Sequence, residues 1–231
     1  MRFLCLLLLI CFLIIGCSAK KAGFEGKVAD GKGQALSGVR VIAKQVQPVA
    51  GYEQFEATTD SAGMFHFDKV LPNSDYALSF TTDNWKTEKK VVVRSGPEGQ
   101  TYILPSPVVI RYMISNDSVI TDSKTGMQWT PSPEYTFSWD GAKNYAQNLK
   151  LRGYSDWRLP TKAELHELYD ASLKDEINST FHISRNSRVW SSEFHDPKAA
   201  WRMDLKDGTE DFIFRGNSMG DMAMVAVHPP K

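Results

Sequence analysis

The sequence predicts an α+β protein in which an N-terminal antiparallel β-sandwich is followed by a mixed α/β domain. Short segments with an apolar residue at every second position fill the first half and are separated by Gly, Asp and Pro. Helical spacing of apolar residues occurs in the second half and is followed by further short strands. The stretch Leu104-Pro105-Ser106-Pro107 lies between the two patterns, and its prolines exclude it from the middle of a strand or helix.

The first 16 residues have the order of a secretory leader. A basic residue precedes an unbroken apolar run over residues 3–15, and small and polar residues follow it. The run is too short for a comfortable membrane span and matches the apolar part of a signal peptide. We therefore expect residues 1–16 to be a signal peptide and residues 17–22 to be a tether.

The end of this leader, Ile14-Ile15-Gly16-Cys17, resembles the bacterial lipobox. The resemblance implies that Cys17 is acylated and becomes the first residue of the mature protein. Each buried methylene of an acyl chain contributes about 0.8 kcal/mol to membrane binding. The expected location is the bacterial cell envelope, and Ser18 is similar to sorting signals for the outer membrane. An ordinary signal peptide and an uncleaved anchor are the alternatives.

Cysteine chemistry is excluded from the folded part of the chain. Cys5, Cys11 and Cys17 all lie in or at the end of the leader. The two domains therefore have no disulfide, no thiolate metal site and no cysteine nucleophile, even in an oxidising compartment.

The charge distribution disfavours binding by bulk electrostatics. The net charge is zero; residues 18–106 carry 11 basic and 10 acidic groups, and residues 107–231 carry 15 and 17. No basic stripe is present, which disfavours nucleic acid and other polyanions as partners.

Residues 23–104 are predicted to form the β-sandwich. Segments with one apolar face alternate with turn residues, as in Asp30-Gly31-Lys32-Gly33 and Asp60-Ser61-Ala62-Gly63. Many short strands at this spacing favour an antiparallel sandwich. The predicted strands cover residues 24–28, 39–43, 64–67, 76–80 and 91–93.

This half resembles the carboxypeptidase regulatory-like domain, a transthyretin-like sandwich. The matching positions are Gly26, Val28, Asp30, Gly33, Leu36, Gly38, Val39, Val41, Thr59-Asp60, Gly63, Phe65, Leu71-Pro72 and Tyr76. The resemblance implies a spacer without catalytic residues. His66 lies between two strand phenylalanines, where a solvated or hydrogen-bonded histidine is more common than a metal ligand.

Residues 105–115 are predicted to be a proline-containing linker with an entry strand, and residues 116–229 to be the second domain. Strands are expected over residues 108–110 and 118–121. A helix should begin near Ser138, whose hydroxyl can cap its first turn, and end at Gly153. Its apolar face consists of Trp139, Ala142, Tyr145, Ala146 and Leu149.

The stretch GYSDWRLPTKAEL is predicted to be a structural junction. Pro160 stops an extended run, and Thr161 stands three residues before Glu164, which is the spacing of a capping box. Arg158 is expected to be held by a carboxylate or by helix-end carbonyls rather than to contact substrate. The residues assigned to this structural motif are Asp156, Trp157, Arg158, Pro160, Thr161 and Glu164.

The same residues resemble a bacterial domain family called the collagen-like-adhesin C-terminal domain. The matching positions are Val119, Asp122, Thr125-Gly126-Met127, Trp129, Trp139, Ala142, 153–161, Glu164-Leu165 and 189–192. Residues 158–164 are also similar to the formylglycine-generating family, which implies a C-type-lectin-like α/β fold. Those enzymes need cysteines for their chemistry. This domain has none, and Ala146 stands where many adhesin-type members have a cysteine, so the resemblance does not imply an enzyme.

The closing strands contain the candidate ligand contacts. In lectin-like folds, ligands are held by the irregular segments and the hairpin around these strands, and aromatic faces and planar donors suit sugar rings and anions. Core packing of Trp190 and Trp201 is an equally good interpretation. The candidates are Trp190, Trp201, Arg202, Arg215 and Asn217.

No cofactor is expected. His182, His195 and Asp196 match no standard zinc spacing. A calcium site is conceivable at acidic residues of the last hairpin, although such hairpins are usually solvated. Those acids are Asp204, Asp207, Glu210, Asp211 and Asp221.

The predicted function is binding outside the cytoplasm. A lipid anchor on the membrane would carry a sandwich stalk, and the stalk would present a lectin-like domain to a carbohydrate or protein ligand. No catalytic motif is present, so an enzyme is not expected. The alternatives are a metal-dependent enzyme related to the formylglycine-generating family and a purely structural envelope subunit.

Overall fold

A computed structural model describes residues 21–183, 187–216 and 222–230. The predicted leader with Cys17 lies outside these ranges, as do the candidate residues Asn217 and Asp221. Strands predominate throughout the described chain, and its α-helices all fall between residues 139 and 180. The described part of the protein is therefore mostly β-sheet, and none of its helices is long and apolar enough to cross a membrane.

The first half consists of short strands, five of which the apolar alternation predicted. Tyr76, Leu78 and Phe80 illustrate the pattern, since all three are buried while the residues between them face outward. The strands are β1 (Ala22–Asp30), β2 (Arg40–Gln45), β3 (Gln54–Thr58), β4 (Met64–Val70), β5 (Asp75–Thr81), β6 (Trp85–Lys86), β7 (Val91–Arg94), β8 (Thr101–Ile103) and β9 (Val108–Ile110).

These strands pack as two sheets around one apolar core, but the pairing is not antiparallel throughout. Strand β1 pairs with β4 in antiparallel fashion and with both β8 and β9 in parallel fashion. Parallel pairing arises because the chain leaves β7 in the opposite sheet before it returns to β1. The expectation of an antiparallel sandwich is therefore corrected at this edge.

The second half combines three α-helices and a short 3₁₀ helix (Ala171–Leu173) with short strands in its described part. Its elements are β10 (Tyr112–Ser115), β11 (Ile120–Asp122), β12 (Gln128–Trp129), α1 (Trp139–Asn148), α2 (Lys162–Leu168), α3 (Lys174–Thr180), β13 (Arg188–Asp196), β14 (Ala199–Asp204), β15 (Glu210–Phe214), β16 (Met222–Ala223) and β17 (Val227–His228). Strands β13, β14 and β15 form an antiparallel sheet, and β16 pairs with β13 in parallel.

Helix α1 begins where the sequence predicts and ends earlier. The Ser138 hydroxyl accepts a hydrogen bond from the Gly141 backbone, as an N-cap does. The helix stops at Asn148, not at Gly153, because the next residues form a tight turn. Arg152 and Gly153 both have positive φ in that turn.

One continuous sheet joins the two halves. Its strand order is β17-β12-β11-β10-β6-β5-β2-β3, with β7 also on β5. The junction is the pairing of β6 with β10, in which Lys86 lies opposite Ile114 and Trp85 opposite Ser115. Residues 105–115, predicted to be a linker and entry strand, include β9 in the sandwich and β10 in this sheet. Backbone pairing, rather than a free linker, therefore connects the two halves.

A buried ion pair lies at the same junction. Arg111 separates β9 from β10, and its Nε and Nη2 donate to the two carboxylate oxygens of Asp122 at 3.1 and 2.9 Å. Nη2 also donates to the Glu167 carbonyl at the end of α2. The side chains of Arg111 and Asp122 are only 4% and 1% exposed. This pair thus ties the sandwich edge, the shared sheet and α2 together.

A second ion pair crosses the junction between the β6–β7 connection and α3. Lys89 Nζ lies 3.1 Å from a carboxylate oxygen of Glu176, whose side chain is 6% exposed. Burial raises the pKa of the Glu176 carboxyl above its usual value, and the charges of Lys89 and Arg111 offset this only in part. Glu176 is therefore a carboxylate that folding makes harder to ionise.

Replacing Arg111 by Met should destabilise the protein by about 3–5 kcal/mol, because the Asp122 carboxylate would remain buried without its partner. Urea unfolding measures this loss. Arg94→Met is the matched control, since Arg94 pairs with Asp75 at 3.2 Å on the surface, and such pairs contribute under about 1 kcal/mol. Equal losses for the two variants would contradict a central role for Arg111.

Replacing Glu176 by Gln should change how stability depends on pH. A carboxyl with a raised pKa in the folded state stabilises the fold below its unfolded pKa, and this contribution is lost as pH rises through the folded pKa. The stability of Glu176→Gln relative to the unmodified protein should therefore increase from about pH 4 towards neutral pH.

Urea unfolding at a series of pH values tests this expectation. Glu98→Gln controls for the loss of one carboxylate, because Glu98 is exposed on a turn of the sandwich. A pH-independent difference for Glu176→Gln would show that the burial of this carboxyl has no energetic consequence.

Candidate functional site

The motif at residues 153–165 forms a helix start with a complete capping box. Thr161 Oγ1 accepts from the backbone N–H of Glu164 at 3.1 Å, and the Glu164 carboxylate accepts from the N–H of Thr161 at 2.8 Å. Arg158 donates to both oxygens of the same carboxylate, at 2.7 and 2.6 Å. Both carboxylate oxygens of Glu164 therefore accept hydrogen bonds within the junction.

Arg158 and Glu164 are both held in their charged forms. Burial raises the pKa of Glu164, but the hydrogen bonds from Arg158 and Thr161 outweigh it, so the net pKa is lowered. The hydrogen bond to Glu164 raises the pKa of Arg158. Neither group is poised to exchange a proton near neutral pH, which fits a structural role better than acid–base chemistry.

The same motif fixes the C-terminal strand. The backbone of Arg158 exchanges two hydrogen bonds with Val227, at 2.8 and 3.2 Å. Asp156 lies 3.0 Å from Nε2 of His228, and Tyr154 stacks on that ring with centroids 4.0 Å apart. Trp157 is 1% exposed and belongs to the core. This stretch is thus the junction of a helix, a core tryptophan and the last strand.

The predicted ligand contacts do not form one site. Trp190 is completely buried, and its Nε1 donates to the Phe137 carbonyl at 2.9 Å. Arg202 is bound to the Asp211 carboxylate, and its side chain is 10% exposed. Trp190 is therefore corrected to a core residue, because it presents no surface. Arg202 keeps some exposed surface, and its role as a ligand contact stays a prediction.

The remaining described candidates, Trp201 and Arg215, belong to two separate aromatic groups. Arg215 lies over the rings of Trp139 and Phe194, with distances of 5.4 and 5.0 Å to the centroids, and pairs with Asp140. Trp201 is half-buried on β14 and packs on neighbours from β13 and β15 instead. Asn217, the fifth candidate, lies outside the described residues.

The group around Trp201 forms an exposed aromatic surface on the sheet of β13, β14 and β15. His195 and Phe212 stack with centroids 3.5 Å apart and planes 7° from parallel. Trp201 meets both rings edge-on, at 5.2 and 5.4 Å. Phe214 follows two residues after Phe212 on the same strand and therefore shares its face. We call His195, Trp201, Phe212 and Phe214 the outer aromatic surface.

The outer aromatic surface lies on the face of the sheet that α2 covers, beyond the edge of that helix. Met203, two residues after Trp201 on β14, is buried in one cluster with Leu165 of α2. Phe212 and Phe214 have no such cover, and they are 48% and 60% exposed. Exposed aromatic rings in contact with one another are a recurrent feature of binding surfaces.

Charged groups border one end of the outer aromatic surface. Lys162, the first residue of α2, places its Nζ 3.8 Å from the ring centroid of Trp201. Glu210 pairs with both Lys162 and His166, each at 2.9 Å. A ligand on the rings would therefore meet an ammonium group and a carboxylate at this end.

Sequence reasoning missed most of this surface. Phe212 and Phe214 alternate with Ile213, so the pattern indicated that they share a face but not that this face is exposed. His195 lies at a strand irregularity between Phe194 and Asp196, opposite Ala200 and Ala199, which local spacing does not encode. The alternation of aromatic and other residues in Asp211-Phe212-Ile213-Phe214-Arg215 was the sequence signal that indicated an aromatic face on this strand.

The described residues contain no cluster of three or more His, Cys, Asp or Glu placed to hold a metal ion. Among the acids considered for calcium, Asp211 binds Arg202, Glu210 binds Lys162, and Asp204 and Asp207 accept backbone N–H groups of their own turns. Asp221 lies outside the described ranges. The four described acids do not converge on one point.

The C-terminal half matches a known domain family. Residues 118–225 fit the sequence profile of the Lcl C-terminal domain, which confirms the predicted resemblance for this part of the chain. The matched range contains α1 to α3, the capping box and the outer aromatic surface. The carboxypeptidase regulatory-like resemblance of the first half stays a prediction, and no curated protein gives a significant match.

Three solved structures show a loose overall similarity. The adhesin InvE of Yersinia pseudotuberculosis is 14% identical with a TM-score of 0.34, and the match covers 90% of this chain and 59% of that one. A fimbrial protein from Bacteroides ovatus gives 9% identity, coverage of 90% and 70%, and a TM-score of 0.31. A 9R-lipoxygenase from Cyanothece is 11% identical with a TM-score of 0.28, and the match covers 92% of this chain and 42% of that one. The chain spans about three-fifths of the InvE chain, and scores this low support no functional argument.

Trp190→Ala and Trp201→Ala should differ sharply in stability. Truncating the buried Trp190 should cost about 3–5 kcal/mol, whereas Trp201→Ala should cost about 1 kcal/mol or less because its ring is only half-buried. Urea unfolding of both variants measures the difference. A large loss for Trp201→Ala would show that its ring is part of the core and not of a binding surface.

Proposed function

We propose that this chain is a non-enzymatic binding protein of the bacterial cell envelope, and that its C-terminal domain binds a carbohydrate or a protein on the outer aromatic surface. The observation that carries the proposal is the group of exposed rings on β13 and β15, with the half-buried ring of Trp201 on β14 between them. Burying apolar surface is favourable by roughly 25 cal/mol for each Å² removed from water, and these rings do not gain that free energy in the folded chain. A ligand that covers the rings would recover that free energy.

The chemistry of the surface suits a ring-shaped or planar ligand group. Phe212 and Phe214 offer apolar faces on which the C–H side of a sugar ring or an apolar side chain can pack. Lys162 and Glu210 at one end supply a donor and an acceptor for hydroxyl or amide groups. Apolar faces beside a few polar groups are the usual composition of specific binding sites.

The Lcl C-terminal domain match supports an adhesin-like role at the cell surface. The matched range also contains the whole outer aromatic surface. Acylation at Cys17 would anchor the chain to the membrane, as the lipobox resemblance implies, with the outer membrane as the proposed location. The sandwich would then act as a spacer. The continuous sheet supports such an arrangement, since it would hold the binding domain at a defined position relative to the anchor.

A structural envelope subunit is the second candidate. The same exposed rings favour it, since an apolar patch can dock permanently on another subunit as well as bind ligand transiently. The two functions differ in what covers the rings: a carbohydrate or exchangeable protein in the first, and a stable protein neighbour in the second.

Replacing Phe212 and Phe214 together by Ser should weaken ligand binding by about tenfold or more, because each aromatic contact contributes about 0.5–1.5 kcal/mol. Glycan arrays and pull-downs from envelope fractions, with the chain lacking its first 17 residues, identify the ligand and measure the loss. Tyr135→Ser is the matched control, because Tyr135 is 56% exposed and lies outside this surface.

The outcomes separate the candidates. A glycan that binds the unmodified chain and the Tyr135→Ser control, but not the double variant, supports a carbohydrate ligand. A stable, stoichiometric protein complex lost in the double variant supports the structural subunit. Binding that is unchanged in the double variant, or no ligand of either kind, would refute the proposed function.

A further inference from the structure

Strand β15 forms an open edge of the last sheet. Within the described residues the strand order of that sheet is β15-β14-β13-β16, so β15 pairs on one side only. Its pairing with β14 runs through five consecutive positions without a bulge, and the strand contains no proline or lysine. Bulges, prolines and lysines are the features that commonly keep a free edge from pairing. The edge of β15 is therefore able to accept another strand.

The outward-facing backbone groups of this edge belong to the two exposed phenylalanines. In an antiparallel pair, every second residue of a strand exchanges hydrogen bonds with the neighbouring strand. The N–H of Arg215 donates to the Lys198 carbonyl at 2.9 Å, which places Arg215 and Ile213 among the residues that bond towards β14. Phe212 and Phe214 occupy the alternate positions, so their N–H and C=O groups point away from β14.

The sequence of β15 is complementary to itself in the antiparallel direction. A two-fold axis through Ile213 places Phe212 opposite Phe214 of a second copy, and Phe214 opposite Phe212. Because these residues carry the outward-facing backbone groups, each of the two pairs would exchange two N–H···O hydrogen bonds. Their side chains share one face of the strand, and opposed aromatic residues are among the favourable cross-strand pairs.

The charged residues of the strand match about the same axis. Asp211 lies two residues before Ile213 and Arg215 two residues after it, so Asp211 would lie opposite Arg215 of the second copy. Both have a partner within the chain, since Asp211 binds Arg202 and Arg215 binds Asp140. Self-pairing would therefore join two ion pairs into a row in which acid and base alternate. Moving the axis by one residue separates Asp211 from Arg215 and loses this match.

We propose that two copies of this chain associate through β15, which pairs with itself in antiparallel fashion about Ile213 and joins the two sheets into one. The axis is perpendicular to the joined sheet, so the outer aromatic surfaces of both copies lie side by side on the same face. A strand edge of five residues is a small contact, and we expect a dissociation constant of about 10–100 µM. This association does not require a ligand and is independent of the proposed function.

Charge reversal tests the proposed register. Sedimentation velocity of the chain without its first 17 residues measures association between about 5 µM and 1 mM. Asp211→Arg places two arginines opposite each other, and Arg215→Glu places two acids opposite each other. Each variant alone should therefore dimerise about tenfold or more weakly. An equimolar mixture of the two variants should recover the dimer, because each introduced charge then faces its opposite.

Asp75→Arg and Arg94→Glu are the matched controls. These residues form an ion pair at 3.2 Å on neighbouring strands of the sandwich, and both are largely exposed. Each control variant breaks a surface ion pair without changing β15, so both should dimerise like the unmodified chain. Amide exchange gives a second measurement that does not depend on substitution. The amides of Phe212 and Phe214 should become more protected as the protein concentration rises.

Three results would overturn the proposal. The first is a monomer at about 1 mM. The second is dimerisation that neither reversal at β15 weakens, which would assign the contact to another surface. The third is a mixture of the two variants that associates no better than either variant alone. Both variants keep all four rings of the outer aromatic surface, so their ligand binding, measured separately, distinguishes failure here from failure of the proposed function.

Discussion

The buried pairing of Arg111 with Asp122 is the interaction on which the placement of the two halves depends. Burial lowers the pKa of Arg111, but the hydrogen bond and charge of Asp122 outweigh this and raise it above its ordinary value. A guanidinium that remains charged while buried needs all its partners in place. Because Arg111 separates β9 from β10 and also binds the Glu167 carbonyl, the end of the sandwich, the start of the shared sheet and the end of α2 are fixed by one side chain. Tyr112 adds a neighbouring contact, since its hydroxyl donates to the Leu168 carbonyl at 2.8 Å.

The position of α2 follows from these contacts and determines which part of the last sheet is covered. Leu165 and Leu168 pack in one buried cluster with Met203 of β14. The helix has only seven residues, so it covers one end of the sheet, and its first residue, Lys162, lies beside Trp201. The rings farther along β15 receive no cover from the described chain, and the contact of Phe212 with His195 joins two exposed residues. The outer aromatic surface is therefore the uncovered continuation of the core under α2.

The sequence predicted the features that depend on neighbouring residues. The capping box needs only the three-residue spacing of Thr161 and Glu164, and the five predicted strands follow from alternation against a single core. Features that depend on distant residues were missed. Strand β6 has two residues and owes its existence to its partners β5 and β10, and the parallel pairing of β9 depends on the path of the whole sandwich. For the same reason the sequence could not separate the buried Trp190 from the half-exposed Trp201, because both lie in amphipathic strands and differ only in what packs above them.

The helix start at residues 158–164 consequently has an effect beyond its own stability. Thr161 and Glu164 fix the first turn of α2, and Lys162 is the first helical residue, with its ammonium group over the ring of Trp201. Pro160 and the ion pair of Arg158 with Glu164 hold the backbone before Thr161 in an extended form. The Pro160 carbonyl also accepts a hydrogen bond from the Ser192 N–H on β13 at 2.7 Å, so the helix cannot begin earlier. The most recognisable stretch of the sequence is thus structural in its own contacts, and it sets the boundary of the surface to which we assign binding.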